Sequence, residues 1–141
     1  MKFNAADCPT EAWCGLGDSA MNSSEREQFH VDFERAVAFA TRLHAAQTRK
    51  QTDIPYIAHL VSVAGLVLEY GGERDEAIAA LLHDSIEDQG TDYPGGVDAL
   101  RQRIQGEFGV RVLDIVNGCS DAETEPKPLW RGRKERYIAH V

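Results

Sequence analysis

The sequence predicts an all-α protein. Apolar residues recur at helical spacing in successive segments, and no stretch alternates apolar and polar residues over the length of a strand. Glycines and prolines punctuate the gaps between those segments. A length of 141 residues with 43% apolar and 27% charged residues fits one soluble globular domain.

Residues 1–23 have little periodicity and read as a loosely ordered leader, with Trp13 and Leu16 as its candidate docking side chains. Residues 24–141 form the domain. Ser24-x-x-Glu27 has the pattern of a capping box, in which each side chain satisfies an orphan backbone donor. Phe29, Phe33, Ala36, Val37, Ala40 and Leu43 then make one apolar stripe, so the first helix is expected to run from Ser24 to about Ala46. Residues 47–54 are polar and read as a loop. Asp53 is placed to cap the second helix, with Pro55 where a missing N–H costs nothing.

Residues 56–70 are apolar on most faces, which predicts a central second helix, stopped by Gly71-Gly72. A third helix is expected from Arg74 to Asp88, burying Ala77, Ile78, Ala80, Leu81 and Leu82. Val97, Leu100, Ile104 and Phe108 mark a fourth helix ended by Gly109, and residues 110–116 a short fifth. Residues 122–128 read as an acidic loop. Trp130, Lys134, Tyr137, Ile138 and Val141 open a sixth helix.

Composition excludes several functional classes. The net charge of −8 argues against general nucleic-acid binding, which draws on clustered Lys and Arg. No run approaches the roughly 20 apolar residues of a membrane span, and no secretory signal is visible. Three cysteines (Cys8, Cys14 and Cys119) lack metal-type spacing and fit free thiols in a reducing cytoplasm. Residues 127–141 depart from the acidic body, with five bases against Glu135. That segment suits local capture of an anion such as a phosphorylated small molecule, and equally suits a solvated helix face.

His83, Asp84, Glu87 and Asp88 crowd one helix end directly after a buried apolar run. In one continuous helix His83 would stack on Glu87 and Asp84 on Asp88. Three carboxylates there oppose the helix dipole, which favours cations at a C-terminus. They could be a plain solvated helix end. His59, among Ile57, Leu60 and Val61, is an imidazole that must find a partner. It could be an ordinary hydrogen-bonded core histidine. Antiparallel packing of the two helices would instead join two imidazoles and a carboxylate, a donor set suited to Mn, Fe or Zn.

The ordered stretches His44-Ala-Ala-Gln-Thr-Arg-Lys50, Pro55-Tyr-Ile-Ala-His59, Ala80-Leu-Leu-His-Asp-Ser-Ile-Glu-Asp88 and Val116-Asn-Gly-Cys-Ser-Asp121 resemble the HD-domain metal-dependent phosphohydrolases. Within that family the chain is similar to the hydrolase domains of RelA/SpoT stringent-response proteins and their small single-domain relatives. The resemblance covers roughly residues 30–140 and implies a helical bundle. It makes His59, His83 and Asp84 ligands of a divalent metal, usually Mn2+. Glu87 and Asp88 become the acidic pair that activates or orients the attacking water. Arg49 and Lys50 fall near the metal and the substrate phosphates, Asn117 lines the site, and Arg131 and Lys134 add positive charge for phosphate binding. His44 is read as structural.

The implied reaction is hydrolysis of the 3′-diphosphate of guanosine tetra- or pentaphosphate, with other phosphorylated nucleotides left open. One departure stands out. The family draws a last aspartate ligand from a later helix, expected beyond residue 137, and no acid between Asp121 and Val141 stands in a comparable place. The domain is therefore expected to lack its C-terminal helices, as a fragment or as a shortened homologue, and to self-associate through uncovered apolar surface on residues 56–70. A non-catalytic nucleotide- or partner-binding module and a bare helical interaction domain are the competing expectations.

Overall fold

A computed structural model describes residues 22–119, and within them the protein is all-α. The helices are α1 (Ser23–Leu43), α2 (Ile57–Glu69), α3 (Arg74–Leu82), α4 (Ser85–Gln89), α5 (Gly96–Phe108) and α6 (Val110–Cys119). The expected leader with Trp13 and Leu16, the acidic loop, the sixth predicted helix, Arg131 and Lys134 lie outside the described residues.

The capping box of α1 is Asn22 with Glu25, two residues before the predicted pair. Asn22 Oδ1 accepts from the Glu25 N–H at 2.9 Å, and Glu25 Oε2 accepts from the Asn22 N–H at 2.9 Å. Asparagine is at least as good a cap as serine, so the earlier register wins. The helix ends at Leu43, because the chain must turn at His44 to enter the next segment.

Residues 47–56 form a tight hairpin-like loop. The Tyr56 N–H donates to the Gln47 carbonyl and the Arg49 N–H to the Ile54 carbonyl, both at 2.9 Å. Gln51 takes a left-handed backbone, φ 63°, at the tip. Pro55 is spent on an isolated bridge with Thr48, so Tyr56 precedes α2 and Asp53 does not cap it. At its far end α2 stops as Gly71-Gly72 predicts. Gly71 is left-handed at φ 81° and donates to the Leu68 carbonyl, while Gly72 donates to that of Val67 at 2.8 Å. This is a Schellman closure, which satisfies two orphan carbonyls.

The central helix is α3, not α2. Residues 77–82 are all buried, and α3 packs against α1, α2 and α6. In α2 only Leu60 and Ala64 are buried, and Leu66 remains 53% exposed. Apolar composition on most faces did not make α2 interior, because only α1 and α3 pack closely against it among the described elements.

The predicted third helix also divides. It breaks at His83 and Asp84, where ψ of Asp84 opens to −2°, and resumes as α4. The expected relation of Asp84 to Asp88 persists at the start of α4, where the Asp88 N–H donates to the Asp84 carbonyl at 2.9 Å. Fully buried Ile86 anchors α4 beneath it. Leu100, Ile104 and Phe108 of α5 with Val112, Leu113 and Val116 of α6 complete the core, and Phe39 meets Phe108 edge-on.

Candidate metal centre

Three elements supply the site. Tyr56 and His59 come from the end of the hairpin and the first turn of α2, His83 and Asp84 from the break, and Asp88 from α4.

His83 Nδ1 lies 2.8 Å from the Ala80 carbonyl oxygen. A carbonyl can only accept, so Nδ1 carries the hydrogen and Nε2 is the atom that titrates. Nε2 in turn sits 2.9 Å from Asp84 Oδ2. Two acceptors so close require a positive charge between them, either a proton on Nε2 or a cation. Burial opposes protonation of His83 more than any other single influence. The bonds to Asp84 and Ala80 and the charges of Asp84 and Asp88 outweigh it, and hold the imidazole pKa above its ordinary value.

Asp84 shows the mirror image. Burial would raise its pKa, but hydrogen bonds from His83 and Tyr56 and the two histidine charges bring it below the usual carboxylate value. His59 is pushed down by burial first and by His83 second, against the pull of Asp84 and Asp88. Its Nε2 lies 3.7 Å from the same Asp84 oxygen, and its ring meets that of His83 at 5.3 Å.

One donor atom from each of His59, His83 and Asp84 lies within 4.8 Å of the others. Ligands bound about 2.0–2.2 Å from one ion stand a little closer than that, within reach of small side-chain torsions. The acceptor pair at His83 and Asp84 and the nitrogen-rich donor set both fit the divalent cation that the sequence resemblance implies.

The charge of Asp88 acts on Tyr56, His59 and His83 alike, which places it beside this cluster. Glu87 is half-buried on the same short helix. Arg49 is exposed in the hairpin, and its charge acts on both Tyr56 and His59. Lys50, next to it, is exposed as well. Asn117 is turned elsewhere: its Oδ1 accepts from Arg101 Nε at 3.2 Å across the α5–α6 contact. The α6 residues that approach the centre are Ile115 and Cys119. With Val63 and Val67 they line an apolar groove of about 440 Å³ that reaches His83.

Sequence reasoning missed Tyr56, Gln47 and Cys119 as site residues. The Tyr56 hydroxyl donates to Asp84 Oδ2 at 2.6 Å, and burial followed by that bond drives the phenol pKa well up. Gln47 Nε2 donates to Asp88 Oδ2 at 2.7 Å. Cys119 is an exposed free thiol at the rim of the apolar groove, and desolvation followed by the Asp84 charge raises its pKa. Tyr56 and Gln47 both stand inside the stretches that carried the resemblance, so the signal was present without its geometry.

Comparison with known proteins bears on the same residues. A family model described as an HD domain matches residues 36–141. A guanosine-3′,5′-bis(diphosphate) 3′-pyrophosphohydrolase of Aquifex aeolicus is 39% identical over 97 residues, covering 69% of this chain and 13% of that protein. The enzyme of the same name called MESH1 from Xenopus tropicalis is 38% identical over 109 residues, covering 75% of this chain and 55% of that one. Human MESH1 is 35% identical over 95 residues, covering 65% and 49%. The chain thus spans about half the length of the short relatives and about an eighth of the long one. No helix among the described residues is long and apolar enough to cross a membrane. With the family model covering three quarters of its length and a histidine–aspartate cluster at the break between α3 and α4, the chain belongs to the HD-domain family.

Proposed function

We propose that the protein is a divalent-metal phosphohydrolase that removes pyrophosphate from the 3′ position of a guanosine nucleotide such as guanosine tetraphosphate, with Mn2+ as its metal and the cytoplasm as its place. The convergence of His59, His83 and Asp84 beside Asp88 carries this reading, in a chain similar to proteins named for that reaction. A cation held by His59, His83 and Asp84 supplies Lewis-acid polarisation of a phosphoryl oxygen and lowers the pKa of water.

The chain's own groups do the rest. Asp88, with one oxygen engaged by Gln47, takes the proton of the attacking water, and Glu87 orients that water. Water oxygen bonds to phosphorus as the bond from phosphorus to the ribose 3′ oxygen breaks, and that oxygen leaves with the proton that Asp88 took from the water. Arg49 faces the developing phosphate charge from the hairpin, where a guanidinium offers paired donors. Lys50, Arg131 and Lys134 add positive charge for the remaining phosphates.

The test is release of pyrophosphate from guanosine tetraphosphate by the purified chain with Mn2+, beside His83→Ala. Release that the substitution abolishes supports the reading. Stoichiometric Mn2+ binding without release would favour a non-catalytic nucleotide-binding module.

A further inference from the structure

His44 stands at the C-cap of α1, 3% exposed, and its ring stacks on that of Tyr56 at 5.4 Å. Its Nδ1 lies 2.6 Å from Gln47 Oε1, and its Nε2 is buried without a protein partner. Gln47 in turn reaches Asp88, with Nε2 donating to Oδ2 at 2.7 Å. Gln89 Nε2 donates to Gln47 Oε1 at 2.7 Å.

These partners fix every orientation along the line. An ionised carboxylate only accepts, so the Gln47 atom facing Asp88 has to be the amide nitrogen. The amide oxygen then faces His44, which makes His44 Nδ1 the donor. Two donors on that oxygen, from His44 and Gln89, hold the amide in one plane. Leaving Nε2 unpartnered in the interior is unfavourable, and a purely apolar residue would avoid it. The ring remains useful for what its other nitrogen holds.

We propose that His44 and Gln47 are positioning residues: His44 locks the Gln47 amide, and Gln47 aims the Asp88 carboxylate at the centre. This rests on the reading of Asp88 as the group that takes the water proton. Through its stack on Tyr56 the same imidazole also braces the phenol that holds Asp84. One buried ring beneath the hairpin thus aligns both acids, although it touches neither metal nor substrate.

The test uses the full 141-residue chain. Hydrolysis of guanosine tetraphosphate with Mn2+ and hydrogen exchange of the Gln47 side-chain amide are measured for the wild type, Gln47→Leu, His44→Leu, His44→Asn and Asp88→Asn. Asparagine puts an N–H donor near the place of Nδ1 and so restores the bond without the ring. Gln47→Leu and His44→Leu are expected to lower kcat about 10–100-fold, the usual loss when an orienting partner is removed. In Gln47→Leu, which leaves the stack on Tyr56 in place, KM and Mn2+ affinity stay unchanged, and His44→Asn recovers most of the kcat lost in His44→Leu. The Gln47 amide protons exchange slowly in the wild type, fast in His44→Leu and slowly again in His44→Asn.

Wild-type kcat in Gln47→Leu, with Asp88→Asn inactive, would overturn the proposal and leave the function standing. Wild-type kcat in Asp88→Asn would remove the role of Asp88 and the proposal with it. Failure of His44→Asn to recover would reduce His44 to a structural residue. In a chain without measurable turnover the exchange rates decide: a Gln47 amide no slower in the wild type than in His44→Leu overturns the proposal.

Discussion

Tyr56 donates its hydroxyl hydrogen to the one oxygen of Asp84 that also faces His59 and His83. The carboxylate is therefore oriented before any cation arrives, by a residue from the hairpin. Tyr56→Phe keeps the ring and its stack on His44 and removes only that bond. It is expected to weaken Mn2+ binding about 10-fold, the lower end for loss of an outer partner. Calorimetric titration measures this; unchanged affinity would mean that the histidines alone orient Asp84.

The paired shifts of His83 and Asp84 give a sign for pH. The raised His83 pKa means a proton holds the place a cation would take, so metal affinity falls as pH drops, starting above the ordinary value of 6.5. Without metal the same pair stabilises the fold. The Asp84 contribution is present above 3.8 and lost as pH falls through its depressed pKa. The His83 contribution is present below 6.5 and lost as pH rises through its raised pKa. His83→Gln should lower the melting temperature of the metal-free chain more at pH 5.5 than at pH 9. An equal loss at both would show that the pair is not coupled.

Glu87→Gln is expected to depress turnover by about 10²-fold or more while bound metal stays near stoichiometric, as for a group that acts on water. Pyrophosphate release and metal content, measured on one preparation, check it. An unchanged rate would take Glu87 out of the site.

The exchange of roles between α2 and α3 can be read from stability. Leu81→Ala, in the buried stretch of α3, should cost about 2–5 kcal/mol, whereas Leu66→Ala on the exposed face of α2 should cost less than about 1. Urea denaturation gives both values. Equal losses would restore α2 to the centre.

How far the sequence foretold these features depends on distance along the chain. The stripe from Phe29 to Leu43, the stop at Gly71-Gly72 and the end of α5 at Gly109 are local, and periodicity with glycine chemistry is enough to read them. The break at His83 escaped because apolar residues run unbroken up to Leu82 and Ile86 continues the buried pattern beyond it. Neither composition nor spacing shows the opening of one backbone angle at Asp84. The burial of α2 was overestimated because apolar content says how much surface a helix could bury, and the partners decide how much it does. Gln47 and Tyr56 were invisible as site residues because their partners, Asp88 and Asp84, lie 41 and 28 positions away.

Two of the three proposed metal donors, His83 and Asp84, are consecutive in the chain, whereas the third rides on the first turn of α2. Lengthening the hairpin at its exposed tip near Gln51 can be absorbed in the turn. One residue added between Ile57 and His59 would instead swing the imidazole by about 100° around the axis of α2. The centre is thus tolerant of drift in the loop and intolerant of any change in the angular phase of α2.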